Sequence, residues 1–436
     1  MRRRHALVPS LAVLCTTALA ACAPGGTAPG SEPVEPTAVS TILGTEEVTL
    51  SLMSTPESGE ATKKAIAAFE GLNPNVTIEY EQTNYEDYNK SLNLALSSST
   101  APDIVLLNSV GTTVKNGLVR NLDGYAQAYG WDEEVPTNQL AQWQVDTDGT
   151  TLGLGPLYAA PAGFSIVGVY YNKALAAQIG LDAPPASLEE LTAAMGDAQA
   201  AGILPLQLGN AEGHAAFPVQ LVAQAVDGPA EYSAWVYGQS GATFDTPGNA
   251  EGLDLLADWA TDGFIPDDAN GTDLQGSVAK FVAGEGLFLV DGNWDAAKID
   301  DGLGEDAGFF AFPGTTTTGI GTSVAYGISS ASEHPDVAAA FLDFMQSPAA
   351  GQYQWEQGFL PVDGTELAPE EGTVRADLLS AWEAVNDADG LVGFNANASP
   401  TMNDTFKAST QEIIGGRLDT RGAIERVQAD WTQTHG

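Results

Sequence analysis

A chain of 436 residues with 57 acidic against 16 basic side chains carries a formal charge of −41. Such a surface repels nucleic acid and anionic membrane, so both are excluded as partners, and the scattered acids read as a device for solubility outside the cell. Only Cys15 and Cys22 occur, both near the N-terminus, so the body has no internal disulfide and must rest on a buried core.

Arg2, Arg3 and Arg4 open the chain, and an apolar stretch of small residues runs from Ala6 to Ala21. This is an export signal over residues 1–21, short of the ~20 apolar residues that a spanning helix needs. Leu19-Ala20-Ala21-Cys22 resembles a lipobox, in which cleavage leaves the cysteine as first residue and its thiol receives lipid. Residues 22–45 are rich in Pro, Gly, Ser and Thr and read as a disordered tether behind that anchor.

The remaining ~390 residues exceed what one core organises, which predicts two domains. Val48 to Met53 suits a strand, and Ala65, Ile66, Phe69 and Leu72 fall at helical spacing before Asn73-Pro74. Val76 to Tyr80 resumes a strand, Tyr88, Leu92 and Leu96 share a helical face from about Tyr85, and Asp103 to Leu107 reads as a buried strand. Later, Ile166 to Tyr171 is a strand followed by a short helix from Asn172 to Gly180, and Ser187 with Glu190 resembles a capping box. Gly286 to Val290 is another buried strand, and Pro335 opens a helix with Val337, Phe341 and Phe344 on one face. Strand and helix alternate, which is the pattern of α/β architecture with a largely parallel sheet.

The parts of an exported hydrolase are absent from the sequence. No G-x-S-x-G elbow occurs, and none of the four histidines sits in H-E-x-x-H. Carboxylate pairs carry no signal among 57 acids. Gly302 to Ala307 matches G-x-G-x-x-A without a preceding strand, and Asp387 to Gly390 has the rhythm of a calcium loop without its distal glutamate, so both read as surface turns. We expect no cofactor, no catalytic residue and no metal site.

Asn73-Pro74-Asn75-Val76-Thr77-Ile78, Ala101-Pro102-Asp103-Ile104-Val105 and Tyr170-Tyr171-Asn172-Lys173 resemble successive landmarks of the extracellular solute-binding proteins of ABC importers. Gly292-Asn293-Trp294, Tyr326-Gly327-Ile328, His334-Pro335-Asp336 and Ser347-Pro348 continue the order. The resemblance is to family 1, which includes maltose-binding protein. It implies a two-lobed periplasmic-binding-protein-like fold (type II), α/β in both lobes, with the ligand cleft between discontinuous lobes. Lobe 1 would comprise 46–163 and 322–361, and lobe 2 would comprise 164–321 and 362–436. It also implies a small carbohydrate ligand and transmembrane permease subunits as partners. The protein would be an extracytoplasmic monomer, held to the outer face of the cell membrane only through the lipid on Cys22. The alternative reading is a lipid-anchored glycosidase or other hydrolase.

A pyranose offers apolar C–H faces to flat rings and a rim of hydroxyls to amides, carboxylates and hydroxyls. Trp294 is the expected stacking residue, with Asn293 and Asp295 beside it. His214 and Phe217 lie where the resemblance places ligand-contacting aromatics. Asn108 and Ser109 follow a buried strand, Ser54, Thr55 and Glu57 follow the first strand, and Phe164 and Ser165 lie at the first crossing between lobes. Leu107 replaces an aromatic of the maltose protein, which argues against a maltodextrin. Trp235, Tyr237 and Trp355 read as packing on helical faces.

Overall fold

The computed structural model describes residues 39–436 apart from 136, 315 and 363–366; the export signal, the lipobox and most of the tether lie outside the described residues. Residues 39–45 correct one boundary. Val39 and Leu43 pack against the core, and Asn75 Nδ2 donates to Gly44 O (3.1 Å) and Glu46 O (2.8 Å). Two aliphatic side chains in an otherwise polar stretch suffice to lay its end on the body.

Thirteen strands are formed among the described residues. In chain order β1 is Val48–Ser54, β2 Val76–Gln82, β3 Ile104–Leu107, β4 Gln144–Val145, β5 Leu152–Leu157, β6 Ala160–Phe164 and β7 Val167–Asn172. They are followed by β8 Leu206–Gln207, β9 Phe288–Gly292, β10 Ala307–Phe310, β11 Gly319–Ile320, β12 Ser323–Ile328 and β13 Leu391–Val392. One sheet has the order β2-β1-β3-β12-β6. Its first three strands are parallel, Leu50 opposite Ile78 and Leu52 opposite Ile104, with helical crossovers Gly59–Leu72 and Tyr85–Leu96. Leu50 and Leu52 point into the core and all four residues of β3 are buried, because helices cover the parallel sheet.

The second sheet has the order β13-β11-β7-β9-β8, with β10 also antiparallel to β7. The chain leaves the first sheet after β6, builds most of the second, and returns as β12, which lies antiparallel between β3 and β6. Both crossing segments are fastened at one point: Ser165 N and Oγ donate to Thr322 O, at 2.8 and 2.7 Å. A third segment comes alongside where Leu360 bridges Phe164 in antiparallel fashion.

Local chemistry explains the boundaries. Asn172 and Ser187 accept from Leu175 N and Glu190 N as helix N-caps, and Pro335 and Pro348 occupy first helical positions. Glu190 does not close a capping box on Ser187; its carboxylate accepts from Ala186 N at 2.8 Å. β9 begins at Phe288, two residues later than its apolar run suggests. Gly286 stands at φ 123°, a left-handed conformation that no regular strand contains.

Candidate ligand-binding site

In open α/β sheets ligands bind where loops leave the carboxyl ends of parallel strands. Both sheets present such loops. β1 leads to Glu57, β2 to Tyr85 and β3 to Asn108 and Ser109; from the second sheet β8 leads to Glu212, His214 and Phe217, β9 to Trp294 and Asp295, and β13 to Phe394. The two sets reach each other. Burial and then the charges of Glu57 and Glu212 raise the pKa of the Tyr85 phenol. The residue is nevertheless 52 % exposed, the combination expected of a side chain that projects into a crevice.

The rings form one cluster. The indole of Trp294 lies over the backbone of Gly292, where a Cβ would stand 2.2 Å from Cζ3, so only glycine admits it. Phe217 meets the indole edge-on at 6.2 Å between centroids and 61°, and Phe394 meets it at 6.1 Å and 42°. Phe217 lies 5.8 Å from Phe394 and 5.2 Å from His214. All four side chains are partly exposed. Burial pushes the His214 imidazole down to about 4, so its 3.7 Å approach to Glu212 is that of a neutral ring at physiological pH.

Beneath the indole lies a carboxyl pair. Asp295 accepts from Gln275 Nε2 with both oxygens, at 3.1 and 3.2 Å. Asp295 is itself buried, and burial holds its pKa above the usual carboxylate value although Gln275 and Lys298 lower it. Asp291 is 0 % exposed; its Oδ1 accepts from Gly292 N at 2.7 Å and Oδ2 has no partner. Burial first, and the charge of Asp295 second, push Asp291 well above the usual carboxylate range. Burial thus holds both carboxyls above the usual carboxylate range, Asp291 the further.

Of the other expected site residues, Ser54, Thr55, Phe164, Ser165 and Asn293 are closed off by packing. Ser54 is 0 % exposed in a hydroxyl knot with Ser58 (3.4 Å) and Tyr326 (3.5 Å), and Thr55 is also buried. Phe164 is buried and stacked on Trp382 at 5.3 Å and 16°, and the Ser165 hydroxyl is committed to Thr322. Asn293 is 0 % exposed with both amide hydrogens donated to backbone carbonyls, so its place is in the junction and not on a ligand. Asn108 stays partly exposed, donating to Asn89 Oδ1 at 2.9 Å, and Ser109 is exposed. Leu107 is buried in the sheet. Trp235 and Trp355 are buried, as their helical spacing suggests, while Tyr237 is partly buried.

Tyr85, Glu212, Asp291 and Phe394 escape sequence reasoning. Phe394 follows a strand of two residues, too short to show a period, and Tyr85 is absorbed into the apparent start of a helix. For Tyr85, Glu212 and Phe394 the available signal was position after a strand, which applies equally to Glu57; Asp291 lies within β9.

An open groove of about 680 Å³ runs elsewhere, between Leu188, Glu189, Thr192, Pro247 and Glu251, without any ring to cover a sugar face.

The profile of the family described as bacterial extracellular solute-binding protein matches residues 54–352. A putative binding protein of Brucella abortus is 25 % identical over 357 residues, 76 % of this chain and 80 % of that protein. A multiple sugar-binding protein of Streptococcus mutans is 25 % identical over 344 residues, 74 % of this chain and 76 % of that protein. Among solved structures, a chitin oligosaccharide binding protein superposes with a TM-score of 0.76 at 21 % identity, covering 90 % of this chain and 100 % of its own. The solute-binding protein RafE in complex with raffinose gives 0.71 at 19 %, covering 89 % and 100 %. The fold is thus the two-lobed one of these proteins, and the chain belongs to the bacterial extracellular solute-binding protein family.

Proposed function

We propose that this protein captures a mono- or oligosaccharide by closure of two lobes, 46–163 with 322–361 and 164–321 with 362–436, and delivers it unaltered to an ABC importer permease. The observation that carries the reading is the partly exposed cluster of Trp294, Phe217 and Phe394, with His214 and the Glu212 carboxylate beside it and Glu57 at a strand end of the other sheet. Rings cover the apolar faces of a pyranose, and carboxylates accept from its hydroxyls. Relatives described as sugar-binding, and structural neighbours that hold raffinose or tagatose, support the choice of ligand class.

The rival reading, a hydrolase, needs two carboxyl groups flanking a scissile bond. The Asp291 and Asp295 pair does not offer them, because Asp291 is sealed from the cleft. Family membership places the protein outside the cytoplasm. Attachment there through lipid on Cys22, as a monomer, completes the proposal.

Titration calorimetry against chitin oligosaccharides, xylo-oligosaccharides, raffinose and common monosaccharides, with chromatography of each sugar afterwards, tests this function. Saturable binding of at least one sugar with no product is expected. Released product, or no binding to any sugar, would sink the reading.

A further inference from the structure

Asn293 opens the loop that carries Trp294, and its side chain works away from the cleft. Its backbone follows β9 in the second sheet. The amide nitrogen reaches into the first sheet's side of the junction, donating to Phe164 O at 3.1 Å and to Gly358 O at 2.9 Å. Asn293 Oδ1 accepts from Ile166 N at 3.1 Å, and Asn293 N donates to Ile166 O at 3.1 Å. One fully buried side chain therefore grips the crossing segment on both sides of Ser165 and the end of the helix Pro348–Gln357, which packs on the helix Gly59–Leu72. Gly358 completes the fit. It stands at φ 116°, and a Cβ there would lie 2.4 Å from Asn293 O.

We infer that Asn293 is the positioning residue that sets the angle between the lobes, so that the residue next to the stacking indole also holds the pivot. The inference rests on the reading of the two sheets as lobes that close. No other side chain type of this size supplies two donors and one acceptor at once: Asp lacks the donors and Leu lacks all three groups. Motion of the second sheet against the first must then stretch the Phe164 and Gly358 bonds while the Ile166 pair travels with Asn293. Displacement at the pivot is thereby tied directly to displacement of Trp294.

The test uses the sugar-free full chain, so its failure is separate from a failure of carbohydrate capture. Hydrogen exchange is followed by mass spectrometry in wild type, Asn293→Ala and Gly358→Ala, with small-angle scattering on each. Both variants should speed exchange at least tenfold in peptides spanning 164–166 and 358–360, leave the strands Val48–Ser54 and Ala307–Phe310 at wild-type rates, and alter the radius of gyration. Unchanged exchange at the junction, or uniformly faster exchange throughout the chain, overturns the inference in favour of an ordinary core residue. If Asn293→Ala does not fold, Gly358→Ala decides by the same criteria.

Discussion

Replacing Trp294 with Ala separates stacking on a ligand from packing in a core. The indole is partly exposed and its ring contacts in the protein are Phe217 at 6.2 Å and Phe394 at 6.1 Å. Two such pairs are worth about 0.5–1.5 kcal/mol each beyond the area they bury, so truncation should cost roughly 1–3 kcal/mol of folding stability in addition to the lost burial of a partly covered indole. A fully buried tryptophan would cost about 3–5 kcal/mol. Binding should suffer more distinctly, because the ring would cover a sugar face and keep water from the hydroxyl contacts. The loss should be about 2 kcal/mol or more, some thirtyfold in affinity. Calorimetry with whichever panel sugar binds, and a melting curve of the same variant, read both quantities. Gly292→Ala is a second probe, since its new Cβ displaces the indole without removing it. Retained affinity with a collapsed melting temperature would refute the stacking role.

The Asp291 carboxyl, raised by burial and by Asp295, holds a proton that the unfolded chain releases above about pH 4. Stability should therefore decline as pH rises from there towards its folded pKa, by up to about 1.4 kcal/mol per unit; Asp291→Asn should gain in melting temperature over wild type between pH 5 and 8, and an equal gap at both pH values would contradict this. His214, lowered to about 4 by burial, contributes stability that is complete above the unfolded value near 6.5 and is lost as pH falls towards 4. His214→Gln should flatten that acid-side loss of up to about 3 kcal/mol, measured by melting at pH 4.5 and 7.5, and an unaltered acid profile would refute it. Saturation with a bound sugar should reduce the radius of gyration in small-angle scattering, whereas an unchanged value at saturation would mean a rigid cleft. Cys22→Ala should release the protein into the medium or leave it unprocessed, and continued detergent-dependent attachment would exclude the cysteine as anchor.

Elements held by local chemistry were legible in the sequence. The strand β1, the cap at Ser187 and the helix-opening Pro335 are properties of a few neighbouring residues, and each stands where the pattern put it. The site was legible only in part, because exposure is a tertiary property. Trp294, Asn293 and Asp295 are consecutive, yet the indole is partly exposed while Asn293 is enclosed by partners 129 and 65 residues away. Ser54 and Ser165 follow strands as ligand-binding hydroxyls do, but Tyr326 and Thr322, brought in by the returning β12 segment, take up their hydroxyls. Phe394 joins the rings only because β13 pairs with β11 from the far end of the chain.

Carbohydrate capture is tested most directly by titrating the full chain with the sugar panel in a calorimeter. Saturable binding with one site per chain for at least one sugar, weakened some thirtyfold in Trp294→Ala, is the predicted result. A flat thermogram for every sugar, or identical affinity in the variant, would contradict it.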